Sequence, residues 1–370
     1  AISTVTADDI RSPERNLSNN LAGKLAGVVQ MQRSGAPGST SEFWIRGVST
    51  FGNYSQPLIL VDGVERSMDL VDPNDIATFS ILKDATATAL YGVRGANGIV
   101  VITTKRGAES RPKVSAKAEF GITAPIQLAS MADTKEWIKY YNDITLDGSN
   151  RLAIQPSEEA KYLNGVDPDL YPSVDWIKTI FKDQASTSRV NLSVTGGTQN
   201  VRYYISGAYY HESSLFNMAD KSRYDAQLDF SRINFRANVD VNITSSTELG
   251  LSLGTIYKTK NRTNSEMYAV YWQTLRTTPI STPTKFSTGE IARPAIGENP
   301  YNTLNNVGYA QDFDYTAESL VSLTQDFSDI VTPGLKANIK VSWDANTGTT
   351  LKRAIGPVTY SALGRDDDGN

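Results

Sequence analysis

The second part of the chain alternates strictly between apolar and polar residues. From 232 to 243 the apolar side chains fall on one face and the polar ones on the other, and the alternation recurs around 189–195 and 335–344. A period of two residues predicts β-strands with one apolar and one polar face. We predict seven strands, at about 113–121, 186–196, 200–212, 230–243, 247–260, 314–327 and 334–347.

Short and long connections alternate between these strands. The short ones lie near 196–199, 244–247 and 328–334, and the long ones near 122–185, 213–229 and 261–313. This sorting is typical of transmembrane β-barrels, which have short turns on one side of the membrane and long loops on the other. Strand lengths of about 10–14 residues match a tilted bilayer crossing, and Tyr209, Tyr257 and Trp343 near strand ends fit an interfacial aromatic girdle. A soluble β-sandwich has no physical need for such sorting and is the alternative.

The first 112 residues have a different pattern, in which short apolar segments alternate with glycine-rich turns. Apolar strands beside helices indicate a small unit of mixed α and β structure, covered on both faces of its sheet. We predict a helix leading into a strand over 16–29, strands at 43–48, 58–64 and 99–107, and a helix over 75–92. The predicted domains are therefore 1–112 and 113–370.

Composition and charge exclude several classes of protein. The chain has 36 Lys and Arg against 40 Asp and Glu, a net charge of −4, so no nucleic-acid surface is expected. It has no cysteine and a single histidine, His211, which excludes thiol nucleophiles, zinc clusters and two-histidine metal sites. We therefore predict no enzyme activity, no metal and no cofactor. The first residues lack a signal-peptide pattern, as expected for a mature or truncated chain.

Two glycine-containing motifs are interpreted as turns. Gly92, Gly95 and Gly98 resemble a phosphate-binding loop in composition, but such a loop runs from strand to helix, and these glycines are predicted to run from helix to strand. Asp62 and Gly63 lie between two apolar segments and predict a tight hairpin turn rather than a catalytic carboxylate.

Three charged motifs also have structural explanations. Lys83 and Asp84 are neighbours on the predicted helix and face different directions, which favours a solvated role or a contact with surrounding strands. His211 and Glu212 end a strand without the G-x-S-x-G elbow of a serine hydrolase, so we predict a loop or interface role. Asp366 to Asp368 lack the spacing of a calcium loop and predict a solvated loop.

Arg46, followed by Gly47, lies in an otherwise apolar predicted strand. A buried guanidinium group needs a carboxylate or carbonyl partner. Two interpretations stay open: an ion pair inside its own domain, or a contact with surrounding strands that breaks when the domain moves.

Two loops are candidates for binding. The loop 49–57 combines aromatic faces with amide and hydroxyl groups, which suits sugar rings but equally suits ordinary packing; its candidate ligand contacts are Phe51, Asn53, Tyr54 and Gln56. The long aromatic loop 261–313 is a candidate docking surface for a partner protein. Trp137 and Trp176 are predicted to anchor helical pieces of the 122–185 loop.

Four segments together resemble the plug of a SusC/RagA-type TonB-dependent outer-membrane transporter. They are LAGKLAGVVQMQRSGAPGS (21–39), FWIRGV (43–48), LILVDGV (58–64) and SILKDATATALYGVRGANGIVVITTKRG (80–107), of which the last is the most specific. The resemblance places ten residues in the plug motif: Arg46, Gly47, Asp62, Gly63, Lys83, Asp84, Gly92, Arg94, Gly95 and Gly98.

The resemblance implies an α+β plug domain followed by strands of an antiparallel 22-stranded transmembrane β-barrel in the bacterial outer membrane. It further implies a SusD-like lipoprotein as an outer lid, import driven by the TonB complex, oligosaccharide or less often peptide as cargo, and room for a dimer of such pairs. We expect polar strand faces toward the lumen and apolar faces toward lipid. Plug and barrel would need roughly 900 residues at this strand spacing, so the chain is expected to be part of a longer one. A siderophore or cobalamin receptor and a soluble β-rich adhesin are the alternatives.

Overall fold

The computed structural model describes residues 2–6, 16–21, 27–32, 35–45, 56–82, 89–146, 152–219 and 227–365. A small mixed domain comes first and is called the N-terminal domain (described residues up to 107); the strands between 110 and 354 follow as one sheet and are called the wall. Among the helices in these ranges, none has the length and apolar character to cross a membrane.

The N-terminal domain contains a five-stranded sheet and a separate two-stranded one in its described residues. Its strands are β1 (Ile2–Thr6), β2 (Val28–Met31), β3 (Glu42–Ile45), β4 (Leu58–Val61), β5 (Val64–Glu65), β6 (Ile76–Leu82) and β7 (Ile99–Thr104). The larger sheet has the order β1-β6-β7-β4-β5, in which β4 and β7 run parallel and the other neighbours antiparallel. Short 3-10 helices cover Leu17–Asn20, Met68–Leu70, Pro73–Asp75 and Ala89–Gly95.

A large apolar cluster and a smaller one of Leu58, Leu60 and Ile99 hold this domain together. The strand β6 within the large cluster corrects the predicted helix over 75–92. Residues 76–82 form β6, whose buried Phe79 and Ile81 follow the period of a strand and whose two edges pair with β1 and β7. Pairing with distant strands overrides local helix propensity here. Over 16–29, where a helix leading into a strand is predicted, the described residues form a single 3-10 turn and then the strand β2. The large cluster comprises Leu17, Leu21, Phe43, Ile45, Val61, Met68, Val71, Ile76, Phe79, Ile81, Val100 and Ile102.

The predicted turn at Asp62 and Gly63 is present between β4 and β5. Both residues have positive φ, 53° and 88°, the conformation of a two-residue hairpin turn that suits the right-handed twist of the strands. The Asp62 carboxylate accepts hydrogen bonds from the backbone N–H (2.9 Å) and the hydroxyl (2.7 Å) of Thr104. The turn is thus fastened to the end of β7.

The wall contains all seven predicted strands, each antiparallel to the next in chain order within the described residues. Its strands are β8 (Ser110–Thr123), β9 (Ala185–Gly197), β10 (Val201–Ser213), β11 (Asp229–Asn242), β12 (Thr247–Thr263), β13 (Gly308–Asp326) and β14 (Lys336–Ala354). The short connections lie at one end of the wall and the long ones at the other, here called the turn end and the loop end.

The two faces of the wall are the reverse of those of a soluble sheet. On β11 the apolar Ile233 and Phe235 are 51% and 46% exposed, whereas Arg232 and Arg236 are 1% and 3% exposed and face the N-terminal domain. The neighbouring strands repeat this pattern, with Leu192, Ile205, Leu253 and Val321 on the exposed face. An exposed apolar sheet face is stable in an apolar medium and unfavourable in water.

The long connections fold together at the loop end. They carry the helices α1 (Thr134–Thr145), α2 (Pro156–Asn164), α3 (Trp176–Ile180), α4 (Met267–Arg276) and α5 (Pro300–Asn305). Trp176, Ile180, Val270 and Leu304 form one buried cluster with Met218 and Leu228. The Trp176 indole N–H donates to the carbonyl of Thr278 (3.1 Å), which confirms its predicted role as an anchor. Trp137 stacks on Tyr141 within α1.

Replacing Asp62 should loosen the β4–β5 turn. We expect Asp62→Ala to lower the local opening free energy of the β7 amides by about 2–4 kcal/mol, because two buried hydrogen bonds are lost and alanine tolerates positive φ poorly. Hydrogen exchange of the purified full-length protein measures this. Asp62→Asn, which keeps an acceptor oxygen and tolerates the turn conformation, should lose less. Equal exchange in the wild type and Asp62→Ala would contradict the proposed role of the carboxylate.

Candidate functional site

The N-terminal domain contacts the wall mainly through polar groups; an exception is Gly38, which lies against the ring of Phe230 on β11. The apolar clusters of the domain lie within it, and the side chains that reach across to the wall are arginines, carboxylates, amides and hydroxyls. This contact region, called the plug–wall interface below because of the sequence resemblance, is formed by residues 16, 38, 62–75 and 104–106 against inward-facing residues of β10 to β14.

Arg66 makes the most complete ion pair of the plug–wall interface. Its Nη2 and Nε donate to the two carboxylate oxygens of Asp344 on β14, at 2.6 and 2.8 Å, and Nη2 also donates to the carbonyl of Ser319 at 3.0 Å. The Arg66 side chain is 3% exposed, and the Asp344 side chain is 34% exposed. A two-pronged pair fixes the orientation of both groups as well as their distance.

A second group of ionic contacts has the opposite polarity, with arginines on the wall and carboxylates on the N-terminal domain. Arg232 donates to the side-chain oxygen of Asn16 (3.0 Å) and the carbonyl of Asp69 (3.2 Å), and it lies 3.9 Å from a carboxylate oxygen of Asp72. Arg236 lies 3.9 Å from Asp75. Arg236 also donates to Glu318 on β13 at 3.3 Å. The two polarities together set one orientation of the domain, since rotation would bring like charges together.

Hydrogen bonds from uncharged donors and one further ion pair add to the plug–wall interface. The Tyr204 hydroxyl donates to Asp75 at 2.8 Å. The Asn238 amide donates to the Thr104 hydroxyl (2.9 Å) and the Lys105 carbonyl (2.6 Å) at the end of β7. Arg106 pairs with Asp240 nearer the turn end. The contacts therefore span much of the length of the strands.

Burial changes the ionisation of the carboxylates in the N-terminal domain. Desolvation raises the pKa of Asp75, and the neighbouring Asp72 raises it further, while Arg236 and the Tyr204 hydrogen bond oppose the shift. Desolvation also raises the pKa of Asp69, against the hydrogen bonds from Ser18. Both carboxyls therefore retain a proton at a higher pH in the assembled protein than in water.

Several predicted site residues lie outside the described residues: Arg46, Gly47, Phe51, Asn53, Tyr54, Lys83, Asp84 and Asp366 to Asp368. The interpretations of Arg46 and of the sugar-contacting loop therefore stay predictions. Gln56 is described and exposed.

The glycine motif before β7 forms turns. Gly92 and Gly98 have φ of 60° and 90°, and a Cβ on Gly98 would lie 2.8 Å from Ile45 Cδ1. β7 follows these glycines, so the motif leads into a strand rather than a helix. Arg94 pairs with Glu65 on β5, and Gly95 accepts from Gly98 through its carbonyl. This geometry supports the interpretation as turn positions.

The neighbouring residues His211 and Glu212 have side-chain partners in different parts of the structure. His211 Nδ1 lies 3.0 Å from the Ser231 hydroxyl on the neighbouring strand. The buried Glu212 carboxylate accepts from the backbone N–H of Gly38 at 3.4 Å, so this residue belongs to the plug–wall interface. No group of three or more residues that could hold a metal ion occurs among the described residues.

Sequence reasoning did not single out Arg66, Asp69, Asp75 and Arg106. The wall residues of the interface could be predicted, because Arg232 and Arg236 lie on the polar face of an alternating strand. The interface residues of the N-terminal domain could not, since they lie in short 3-10 turns and at strand ends, where the sequence has no regular alternation. Only their positions opposite the wall reveal their role.

Separating Arg66 from Asp344 should loosen the plug–wall interface. We expect Arg66→Ala to lower the opening free energy of the amides at 66–75 by about 1–3 kcal/mol, because a buried pair that also satisfies Ser319 is broken. The Arg66→Ala/Asp344→Ala double variant should lose less than the sum of the single ones. Hydrogen exchange of the full-length protein measures each value. Arg365→Ala is the control, since Arg365 forms a similar pair with Asp167 in the loops; additive losses would contradict direct coupling.

Acid should favour the closed plug–wall interface through Asp75. Its pKa is raised while buried and returns to about 4 when the interface opens, so the closed state gains a proton as the pH falls through the raised value. The contribution of Asp75 to closure is therefore weakest at neutral pH and grows on acidification. Asp75→Asn removes this dependence: the opening free energy of the wild type should rise relative to Asp75→Asn between pH 7 and 4.5. A constant difference over this range would contradict the shift.

Comparison with known proteins places this geometry in a family. Residues 1–99 match the TonB-dependent receptor plug domain family. The chain is 31% identical over 265 residues to the TonB-dependent receptor P26 of Formosa agariphila, covering 70% of this chain and 25% of that protein. It is 25% identical over 360 residues to the TonB-dependent receptor SusC of Bacteroides thetaiotaomicron, covering 90% and 34%.

The fold agrees with these sequence matches. The structure of the RagAB peptide importer in its "closed-closed" state superposes with a TM-score of 0.74 and 25% identity, over 95% of this chain and 41% of that one. The chain thus spans about a quarter to two fifths of the length of these relatives. It has a plug domain followed by antiparallel strands that match a TonB-dependent receptor barrel, and it belongs to the SusC/RagA-like TonB-dependent transporters.

Proposed function

We propose that the protein of which this chain forms at least a part imports a large nutrient across the bacterial outer membrane with energy from the TonB complex. Residues 1–112 form the plug, and residues 113–370 form barrel strands. A SusD-like lipoprotein covers the loop end. Oligosaccharide is the cargo that the sequence resemblance favours, and peptide is the second candidate.

The polar composition of the plug–wall interface carries this proposal. The plug has its own apolar clusters, and its contacts with the wall are made mainly by charges, amides and hydroxyls such as Arg66, Asp75 and Asn238. Such groups regain hydrogen bonds with water when the interface opens, whereas opening an apolar interface would expose apolar surface to water at a cost in free energy. A plug that must be held firmly and displaced repeatedly needs this kind of contact.

The transport cycle follows from the two ends of the wall. Cargo enters at the loop end, where the long connections form a packed rim around Trp176. The lid closes over it, and the TonB complex pulls on the plug. The ion pairs of Arg66, Arg106, Arg232 and Arg236 then exchange for water, and a path along the polar face of the wall opens toward the turn end.

The exposed face of the wall supports location in a membrane. Its apolar side chains, among them Ile233 and Phe235, have no cover within the described residues. A soluble adhesin with the same strands would bury this face and expose the arginines instead. The cargo class is supported less directly: SusC and RagAB are both relatives, and the RagAB structure is described as a peptide importer.

Uptake in the native host tests the proposal. Deleting the gene should abolish uptake of one class of labelled nutrient among defined oligosaccharides and peptides, and the intact gene should restore it. Inactivating TonB should abolish the same uptake, because the plug then stays in place. A lipoprotein should co-purify with the tagged full-length protein. Equal uptake of every nutrient with and without the gene would reject the importer.

A further inference from the structure

One turn of the plug reaches into the wall near its loop end. Residues 36–39, with the sequence Ala-Pro-Gly-Ser, are called the plug turn below. The backbone N–H of Ser39 donates to the carbonyl of Ala36 at 3.1 Å. Proline at the second position and glycine with a φ of 76° at the third are typical of a type II turn. Pro37 is buried, whereas Gly35, just before the turn, is exposed.

The plug turn lies against a pair of aromatic rings on the wall. A Cβ on Gly38 would lie 2.5 Å from Cδ2 of Phe230, so only glycine fits here without moving the ring. Phe230 is buried and contacts Tyr210 on β10, with 6.3 Å between the ring centroids. The backbone N–H of Gly38 donates to Glu212 at 3.4 Å. All three wall residues lie near the loop end of their strands.

Hydrogen bonds connect the other side of the plug turn to the wall. The side-chain amide of Asn16 donates to the carbonyl of Ser39 at 3.2 Å. The side-chain oxygen of the same asparagine accepts from Arg232 at 3.0 Å, and the Arg232 guanidinium carbon lies 6.0 Å from the centroid of the Tyr210 ring. The aromatic pair and this arginine therefore hold the plug turn from two sides.

The contact of Gly38 with Phe230 depends on shape, unlike the ion pairs of the plug–wall interface. An aromatic ring packed on backbone without a Cβ leaves no space for water between the two surfaces. The glycine also presents no side chain that could interlock with the wall. The plug turn can therefore withdraw when the ring turns aside, without a rearrangement of the wall backbone.

We propose that the plug turn closes the gap between the plug and the wall at the loop end, with Gly38 and Phe230 as the two positioning residues of this closure. The contact excludes water and ions on the side where the proposed cycle brings the cargo. It opens when the plug is displaced toward the turn end and re-forms in the same position when the plug returns. This inference rests on the proposed import function.

Hydrogen exchange and ion conductance of the purified full-length protein test the proposal without cargo or TonB. Gly38→Ala places a methyl group against the ring at positive φ, which costs about 1–2 kcal/mol from the backbone alone. We expect the amides at 16–21 and 38–45 to exchange about tenfold faster or more. Potassium chloride conductance through planar bilayers that contain the variant should exceed that of the wild type. Phe230→Ala changes only the wall and should also raise the conductance, because the ring no longer fills the gap.

The double variant Gly38→Ala/Phe230→Ala separates contact with the ring from backbone strain. The strain is the same in Gly38→Ala and in the double variant, but the methyl group has room only when the ring is absent. The double variant should therefore exchange more slowly than Gly38→Ala. Gly35→Ala is the matched control, since no atom lies within 4 Å of a Cβ there, and it should behave like the wild type. Exchange of the β12 and β13 amides verifies the wall in each variant.

Three results would overturn the proposal. Wild-type exchange and conductance in both Gly38→Ala and Phe230→Ala would reject the closure. Equal exchange in Gly38→Ala and the double variant would reject the role of the ring, and faster exchange with wild-type conductance would show a contact that does not close the gap. Failure of the importer is observed separately, as unchanged uptake after gene deletion, because the exchange and conductance measurements need no nutrient.

Discussion

The burial of polar side chains between the plug and the wall is the interaction on which the rest of the structure depends. Arg232 and Arg236 are almost fully buried in a sheet whose apolar side chains point outward. Charged groups are stable in such a position only with partners, and the plug supplies them through Asp72, Asp75 and the carbonyl of Asp69. The plug therefore completes the wall mainly through electrostatic contacts.

This arrangement separates the structure into parts with their own cores. The plug has two apolar clusters among its described residues, and the long connections at the loop end have another around Trp176 and Val270. Because no apolar cluster bridges plug and wall in the described residues, the plug can lose its contacts with the wall without exposing its interior. The packed loop end forms one continuous surface rather than a set of independent loops.

The parts of the fold with a simple period were predictable, and the parts that depend on distant partners were not. All seven wall strands followed from alternation, since inward and outward faces see different surroundings along the whole strand. The turn at Asp62 and Gly63 followed from local backbone preference. The helix predicted over 75–92 was wrong at 76–82, because β1 and β7 supply hydrogen-bonding partners on both sides of β6 and these seven residues by themselves do not reveal those distant strands.

The amino-acid order alone determined the family, the strands of the wall and the polar face on which Arg232 and Arg236 lie, because each depends on a motif or on the two-residue repeat of an extended chain. Only the tertiary structure decided that Arg66 meets Asp344, that Asp75 is buried under Tyr204, and that Gly38 lies against Phe230. The two members of each pair lie between about 130 and 280 residues apart in the sequence. Residues so far apart come together only after the strands have paired, so no local sequence pattern predicts the contact.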